Sequence, residues 1–183
     1  ILDIYRSRGL GDVYKRQDLN EAVKPNKDCS LNLLEPINFQ LNKFFYKNVG
    51  KKHKWTDRLV WTEAQWIDYV SSKKVRTYIF KHQNNLAGFF ELIFHSDEKE
   101  VEIAYFGLLE EFQNKKLGSY LLSQAIKKSF NNKVERVWVH TCSLDHKNAL
   151  KNYIARGMKI FKSETILISV SYTHLRAHET DRY

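Results

Sequence analysis

The chain has 183 residues and a formal charge of +9, and its two cysteines, Cys29 and Cys142, are too few for a disulfide framework and stand at no metal-binding spacing. No apolar run approaches the roughly 20 residues of a membrane helix, so a membrane span is not expected and a reducing, cytoplasmic location is. The basic balance suits nucleic acid, an acidic membrane or an anionic cofactor, although Lys-rich runs such as Lys51-Lys52-His53-Lys54 read most simply as solvated surface.

The two ends differ from the middle. Residues 18–169 hold four Arg against twenty Lys, whereas the flanks hold five Arg against Lys15 alone. GATGTGTATAAGAGACAG is an allowed coding of residues 12–17, and its reverse complement, in a shifted frame, encodes residues 170–174. One DNA element in opposite orientations therefore brackets the chain, and it resembles translated sequencing-adapter DNA. Residues 1–17 and 170–183 are accordingly expected to be non-native and are set apart from the fold. The remainder, 24 basic minus 17 acidic residues, keeps a charge of +7 and is expected to form a single domain over 18–169.

Within that domain the periodicity predicts a mixed α/β order. A first strand is expected at 31–34, then helices where Ile37, Leu41, Phe44 and Phe45 fall at helical spacing and over 61–70. Strands follow at 75–81 and 86–95, separated by turn formers at 82–85 that suit a hairpin, and the meander continues over 100–108. Leu117, Leu121, Leu122, Ala125, Ile126 and Phe130 make one apolar helical face, closed by Asn131-Asn132. A strand at 136–141 precedes a helix that Asp145 is placed to cap and that runs to Arg156, with Gly157 as its left-handed end residue. The chain returns as a strand at 158–161.

A strand that runs through a short turn into the start of a helix places free backbone N–H groups and the helix dipole together, a natural anion site. Here the segment is 101–118. Its Gln113-x-x-Lys116-x-Gly118 pattern, followed by a strand and by Asn148-Ala149-x-x-x-Tyr153-x-x-x-Gly157-Met158, resembles the acetyl-CoA-binding core of the GNAT superfamily of N-acetyltransferases. Lys116 departs from that pattern by standing where the first glycine is usual.

The resemblance implies a GNAT-like α/β fold: a central mixed, mostly antiparallel twisted sheet of about six or seven strands, splayed by a β-bulge at the acetyl-CoA site and flanked by about four helices. It implies that backbone groups of Phe106 and Leu108 hold the pantetheine arm. The pyrophosphate would lie on the amides of Gln113, Asn114, Lys115, Lys116, Leu117, Gly118 and Ser119, with Asn148 also touching the cofactor. Tyr153 matches a frequent proton donor to the departing thiolate, and equally fits an apolar helical stripe as a half-buried core tyrosine. Glu102 matches a general base; strict alternation puts it on one face with Ala104 and Phe106, and pairing with a strand lysine is the competing reading. Glu91 and His140 are further base candidates.

The acceptor end is less defined. Trp55, Arg58 and Glu91 are expected to bind substrate, the aromatic residues of 55–66 by caging an amine or Arg58 by gripping a carboxylate, while Trp61 and Trp66 also fit helix packing. The expected activity is acetyl transfer from acetyl-CoA to a primary amine, on a small molecule or a protein, by direct attack in a ternary complex. The enzyme is expected to be a monomer or homodimer with no metal. The alternative is a non-catalytic acyl-CoA-binding or RNA-associated basic module; no RNA-binding signature accompanies the charge, so a nucleic-acid partner is not expected.

Overall fold

The computed structural model describes residues 2–13, 16–25, 28–130 and 133–170, with side chains placed over 16–25, 28–130 and 133–163. In chain order the strands and helices are β1 (Leu2–Val13), β2 (Cys29–Leu33), α1 (Phe39–Gly50), α2 (Glu63–Ser71), β3 (Val75–His82), β4 (Asn85–His95), β5 (Glu100–Leu108), α3 (Leu117–Ser129), β6 (Arg136–Cys142), α4 (Ala149–Ala155) and β7 (Lys159–Val170). They build one seven-stranded sheet in the order β2-β3-β4-β5-β6-β1-β7. Every pairing is antiparallel except the parallel contact of β5 with β6. Among the described residues no helix is long and apolar enough to cross a membrane.

Local chemistry explains most boundaries. Gln83 and Asn84 both take positive φ, which closes β3 onto β4 through a two-residue turn whose twist matches the strands. The Asn38 side chain accepts from the Leu41 N–H at the start of α1, and Thr62 with Gln65 forms a capping box that starts α2 at Glu63. The helix after β6 differs from expectation. It begins only at Ala149, because the Asp145 carboxylate is used in the turn before it, accepting from the Cys142 N–H and the Thr141 hydroxyl at 2.9 Å each. Gly157 ends that helix with φ +93°, a conformation that favours glycine. Asn131-Asn132, expected to close α3, lies outside the described residues, as does the tail over 171–183. The N-terminal segment set apart by composition contains β1, whose backbone runs antiparallel between β6 and β7.

The sheet is covered on both faces. Leu117, Leu121, Leu122, Ala125 and Ile126 of α3 are buried against Phe80, Phe90, Leu92, Val101, Ile103 and Val137, each large side chain contributing about 1.5–3 kcal/mol. On the opposite face Phe45 and Val49 of α1 pack on Ile79 and Phe89. Gly107 permits this approach, since a Cβ there would lie 2.3 Å from the Val49 Cγ1.

Two irregularities in β5 set up the site. Its ladder with β6 covers only Glu100↔Arg136 to Ile103↔Val139, after which the two parallel strands part. On its other edge the register with β4 slips, Glu91 facing Tyr105 while Leu92 faces Ile103, so Ala104 is an extra residue in β5. A bulge of one residue reverses which face every later side chain occupies. Phe106 therefore lies with Ile103 on the α3 face, and Glu102 lies with Tyr105 on the α1 face. The strict alternation that put Glu102 beside Phe106 does not hold.

Candidate active site

A cleft of about 880 Å³ opens where β5 leaves β6. Its floor is Ala104, Tyr105, Phe106, Gly107 and Leu108 on one side and His140, Thr141 and Cys142 on the other. The start of α3 and the α4 helix close one end, and the segment between α1 and α2 closes the other.

At the α3 end the lining includes Gln113, Asn114, Lys116, Gly118 and Ser119. Lys116 is the residue before the helix, at φ 59° and ψ 4°, and no side chain caps the helix, so its first amides point out uncapped. A Cβ on Gly118 would meet the Leu108 Cδ1 at an ordinary 3.6 Å. The protein does not itself require glycine there, and its absence of a side chain keeps the helix start open to an anionic ligand. These residues fit a pyrophosphate. Leu117 instead turns into the core at 1% exposure, and the Lys115 ammonium sits 5.5 Å over the Phe112 ring, so only their backbones can serve. The left-handed conformation of Lys116 also explains why glycine is usual at that place. Lys116→Gly is expected to raise stability by about 0.5–1 kcal/mol, read as a rise in Tm of a few degrees.

Tyr153 of α4 lines the cleft, 7% exposed, with its ring centroid 6.5 Å from that of Phe106. Burial first, then the nearby Asp145 and Cys142, push its phenol well above the ordinary tyrosine range, so it holds its proton. Asn148, exposed just before α4, lines the cleft too. Asn152, one turn on, was not expected in the site: its amide donates to the Gly118 carbonyl at 3.3 Å, joining α4 to the start of α3, and its Oδ1 is buried without a partner.

Glu102 lines the cleft at 19% side-chain exposure, and its Oε2 lies 3.2 Å from the His95 Nε2. The partner is therefore a histidine rather than a lysine. His95 in turn stacks on Trp138, centroids 5.9 Å apart. The Ile93↔Glu102 register places His95 two residues along on the same face, a diagonal neighbour visible only once the pairing is known.

The acceptor end contains the largest difference from the sequence reading. Glu91 does not reach the cleft. It is 1% exposed, accepts from the Arg58 Nη1 at 2.9 Å, from the Tyr69 hydroxyl at 2.6 Å and from the Asn42 Nδ2 at 3.2 Å. Arg58 borders the cleft but is 6% exposed, its guanidinium stacked between Tyr69 at 4.0 Å and Tyr105 at 4.3 Å with Trp61 at 4.8 Å. Burial opposes the Arg58 charge, and the Glu91 carboxylate together with the phenols of Tyr69 and Tyr105 outweighs it, raising its pKa. Arg58 is thus buried, stacked between rings and ion-paired to Glu91, so its charge serves the protein's interior rather than a substrate carboxylate. Trp55 and Asp57 do face the cleft. For Asp57 burial acts the other way, yet the hydroxyls of Tyr105 and Tyr46, each 2.7 Å from one of its oxygens, hold the carboxyl below the usual range.

Residues 35–158 match the model of the acetyltransferase (GNAT) family. The chain belongs to the GNAT acetyltransferase family. Its fold is shared with solved GNAT structures. A GCN5-related N-acetyltransferase from Sphaerobacter thermophilus superposes with TM-score 0.69 at 11% identity, over 88% of this chain and 50% of that one. A functionally unknown conserved protein from Staphylococcus epidermidis gives 0.60 at 16%, over 90% and 62%. An aminoglycoside acetyltransferase from an uncultured soil metagenomic sample, in complex with trehalose, gives 0.62 at 12%, over 82% and 99%. The chain thus spans only half to about three-fifths of the first two of these proteins. No curated protein sequence matches it. For a GNAT enzyme, the parted strands and the uncapped α3 start are the expected features of the fold, and Tyr153 and Glu102 line the gap between them.

Proposed function

We propose that the domain over 18–169 transfers an acetyl group from acetyl-CoA to a primary amine by direct attack within a ternary complex. The observation that carries this reading is the parting of β5 from β6 beyond Ile103 and Val139, with Tyr153 and Glu102 lining the gap from opposite faces of the sheet. Acetyl-CoA supplies an activated thioester. The edge of β5 that has left β6, at Phe106 and Leu108, offers backbone groups to the pantetheine amides, the Leu108 carbonyl also accepting from the Gln113 side chain at 3.3 Å, and the start of α3 offers its free N–H groups to the pyrophosphate.

Because Glu102 is on the α1 face, the acceptor enters from the side of Trp55 and Tyr105, opposite the cofactor side lined by Phe106 and Tyr153. Glu102 removes a proton from the attacking nitrogen, directly or through a water, and His95 orients the carboxylate. Tyr153 gives its proton to the leaving sulfur. Direct attack by the amine needs no covalent acyl-enzyme, which keeps the reaction to one transfer.

Thiol release from acetyl-CoA over a panel of primary amines tests the reading. At least one amine is expected to be turned over, and Glu102→Gln, which keeps the shape and removes the base, should lower kcat about 100-fold. Full activity of the Gln variant across the pH range would remove Glu102 from the mechanism. No thiol release with any amine would remove the activity itself.

A further inference from the structure

We infer that the acceptor end of the cleft is a cation subsite built on Asp57, and that the acceptor carries a second basic nitrogen besides the one acetylated. The inference rests on the proposed acetyl transfer to an amine and narrows the substrate to diamines and polyamine-like compounds.

The Arg58 guanidinium is spent mainly on the buried Glu91 carboxylate 2.9 Å away, and its charge is the least of the effects that hold the Asp57 carboxyl below its usual range. Asp57, the next residue, is exposed toward the cleft and makes no ion pair among the described residues. Each of its oxygens takes one phenol hydroxyl, from Tyr46 or Tyr105, and a carboxylate oxygen can accept a second donor. The phenols fix the carboxylate without neutralising it. His146, which also lines the cleft, is held below the ordinary histidine range by burial and by His53 and Lys147, so it brings no cation to Asp57 at neutral pH. Lys54 borders the same cleft from the surface without pairing to Asp57. Beside the carboxylate the Trp55 ring lines the cleft, held edge to face against Tyr105 with centroids 4.7 Å apart, and offers an ammonium aromatic surface as well as charge.

The nitrogen that attacks a thioester must be neutral. A carboxylate held in its charged form is a weak base and a good anchor, so the nitrogen it grips is not the one that reacts. Two basic nitrogens on one acceptor satisfy both demands, one on Asp57 and the other toward Glu102.

Titration calorimetry with the full chain, in the presence of CoA, tests this with 1,4-diaminobutane and butylamine as probes. The diamine is expected to bind about tenfold more tightly, the difference shrinking at high salt. Asp57→Asn should bring the two affinities within about threefold of each other. Equal binding of the two probes to the wild type, or an unchanged ratio in the Asn variant, overturns the inference. If the Asn variant does not fold, Asp57→Glu advances the carboxylate by one methylene, and the best-bound diamine of a chain-length series should become one methylene shorter; an unchanged optimum also overturns it. Selective diamine binding that depends on Asp57, together with no thiol release from acetyl-CoA, would leave the subsite standing and refute the acetyl-transfer reading instead.

Discussion

Tyr153→Phe is expected to lower kcat about 100-fold, leave the Kd for acetyl-CoA within about threefold, and shift Tm by no more than a degree or two. The substitution removes one oxygen and keeps the ring that packs near Phe106, so packing and cofactor contact persist. What disappears is the proton donor of the proposed mechanism. General acids contribute about 100- to 10,000-fold, with the largest effects where the donor's pKa is near the working pH. Tyr153 is far from that optimum, because burial and the neighbouring Asp145 push its pKa up. The low end of the range follows. The same shift means that Tyr153 stays protonated throughout the neutral range, so the wild-type kcat profile should show no fall on the alkaline side, up to about pH 9, that the Phe variant lacks. Stopped-flow thiol release with a saturating amine reads both effects. An unchanged kcat would make Tyr153 a packing residue and leave the thiolate to depart unassisted.

Glu91→Ala is expected to destabilise the domain by about 3–5 kcal/mol, because it leaves the Arg58 charge buried without its partner. For a domain of this size that corresponds to a fall in Tm of roughly 6–20 °C. The rings of Tyr69, Tyr105 and Trp61 would still flank the guanidinium, but cation-π contacts of about 1–2 kcal/mol each cannot replace a carboxylate at 2.9 Å. The Tyr69 hydroxyl and the Asn42 amide would lose their acceptor as well. Replacing both partners, Arg58→Met with Glu91→Leu, should recover most of the loss, since an apolar pair leaves no buried charge. Differential scanning calorimetry of the single and double variants decides the matter. A Glu91→Ala protein that melts within 2 °C of wild type would contradict the assignment of this pair to the scaffold.

The contrast between Glu91 and Glu102 marks where the sequence stops being informative. Both are carboxylates on neighbouring strands among apolar residues, and local pattern treats them alike. Their fates depend on partners distant in the chain: Arg58 from the segment before α2 claims Glu91, whereas Glu102 meets His95 across the β4–β5 hairpin at the edge of the cleft. The face on which Glu102 lies was also beyond pattern reading, since period-2 alternation holds only until a residue is inserted, and the bulge at Ala104 is a property of the β4–β5 register. Asp57 illustrates the same limit. Its value as an anchor comes from two phenols, one on α1 and one on β5, that no spacing rule connects to it.

By itself the sequence determined the α/β order, the turn at Gln83-Asn84, the apolar face of α3 and the left-handed Gly157, because each depends on residues close together in the chain, and the family resemblance, because it depends only on the order of such local motifs. Even the departure at Lys116 was legible, although its structural cost, a left-handed backbone carrying a side chain at the helix start, was not. Tertiary structure alone decided which carboxylate faces the cleft, which cation is spent inside the protein and on which face of the sheet Glu102 lies. Those are questions of charge pairing and strand register, and both are fixed by contacts that exist only after the chain has folded.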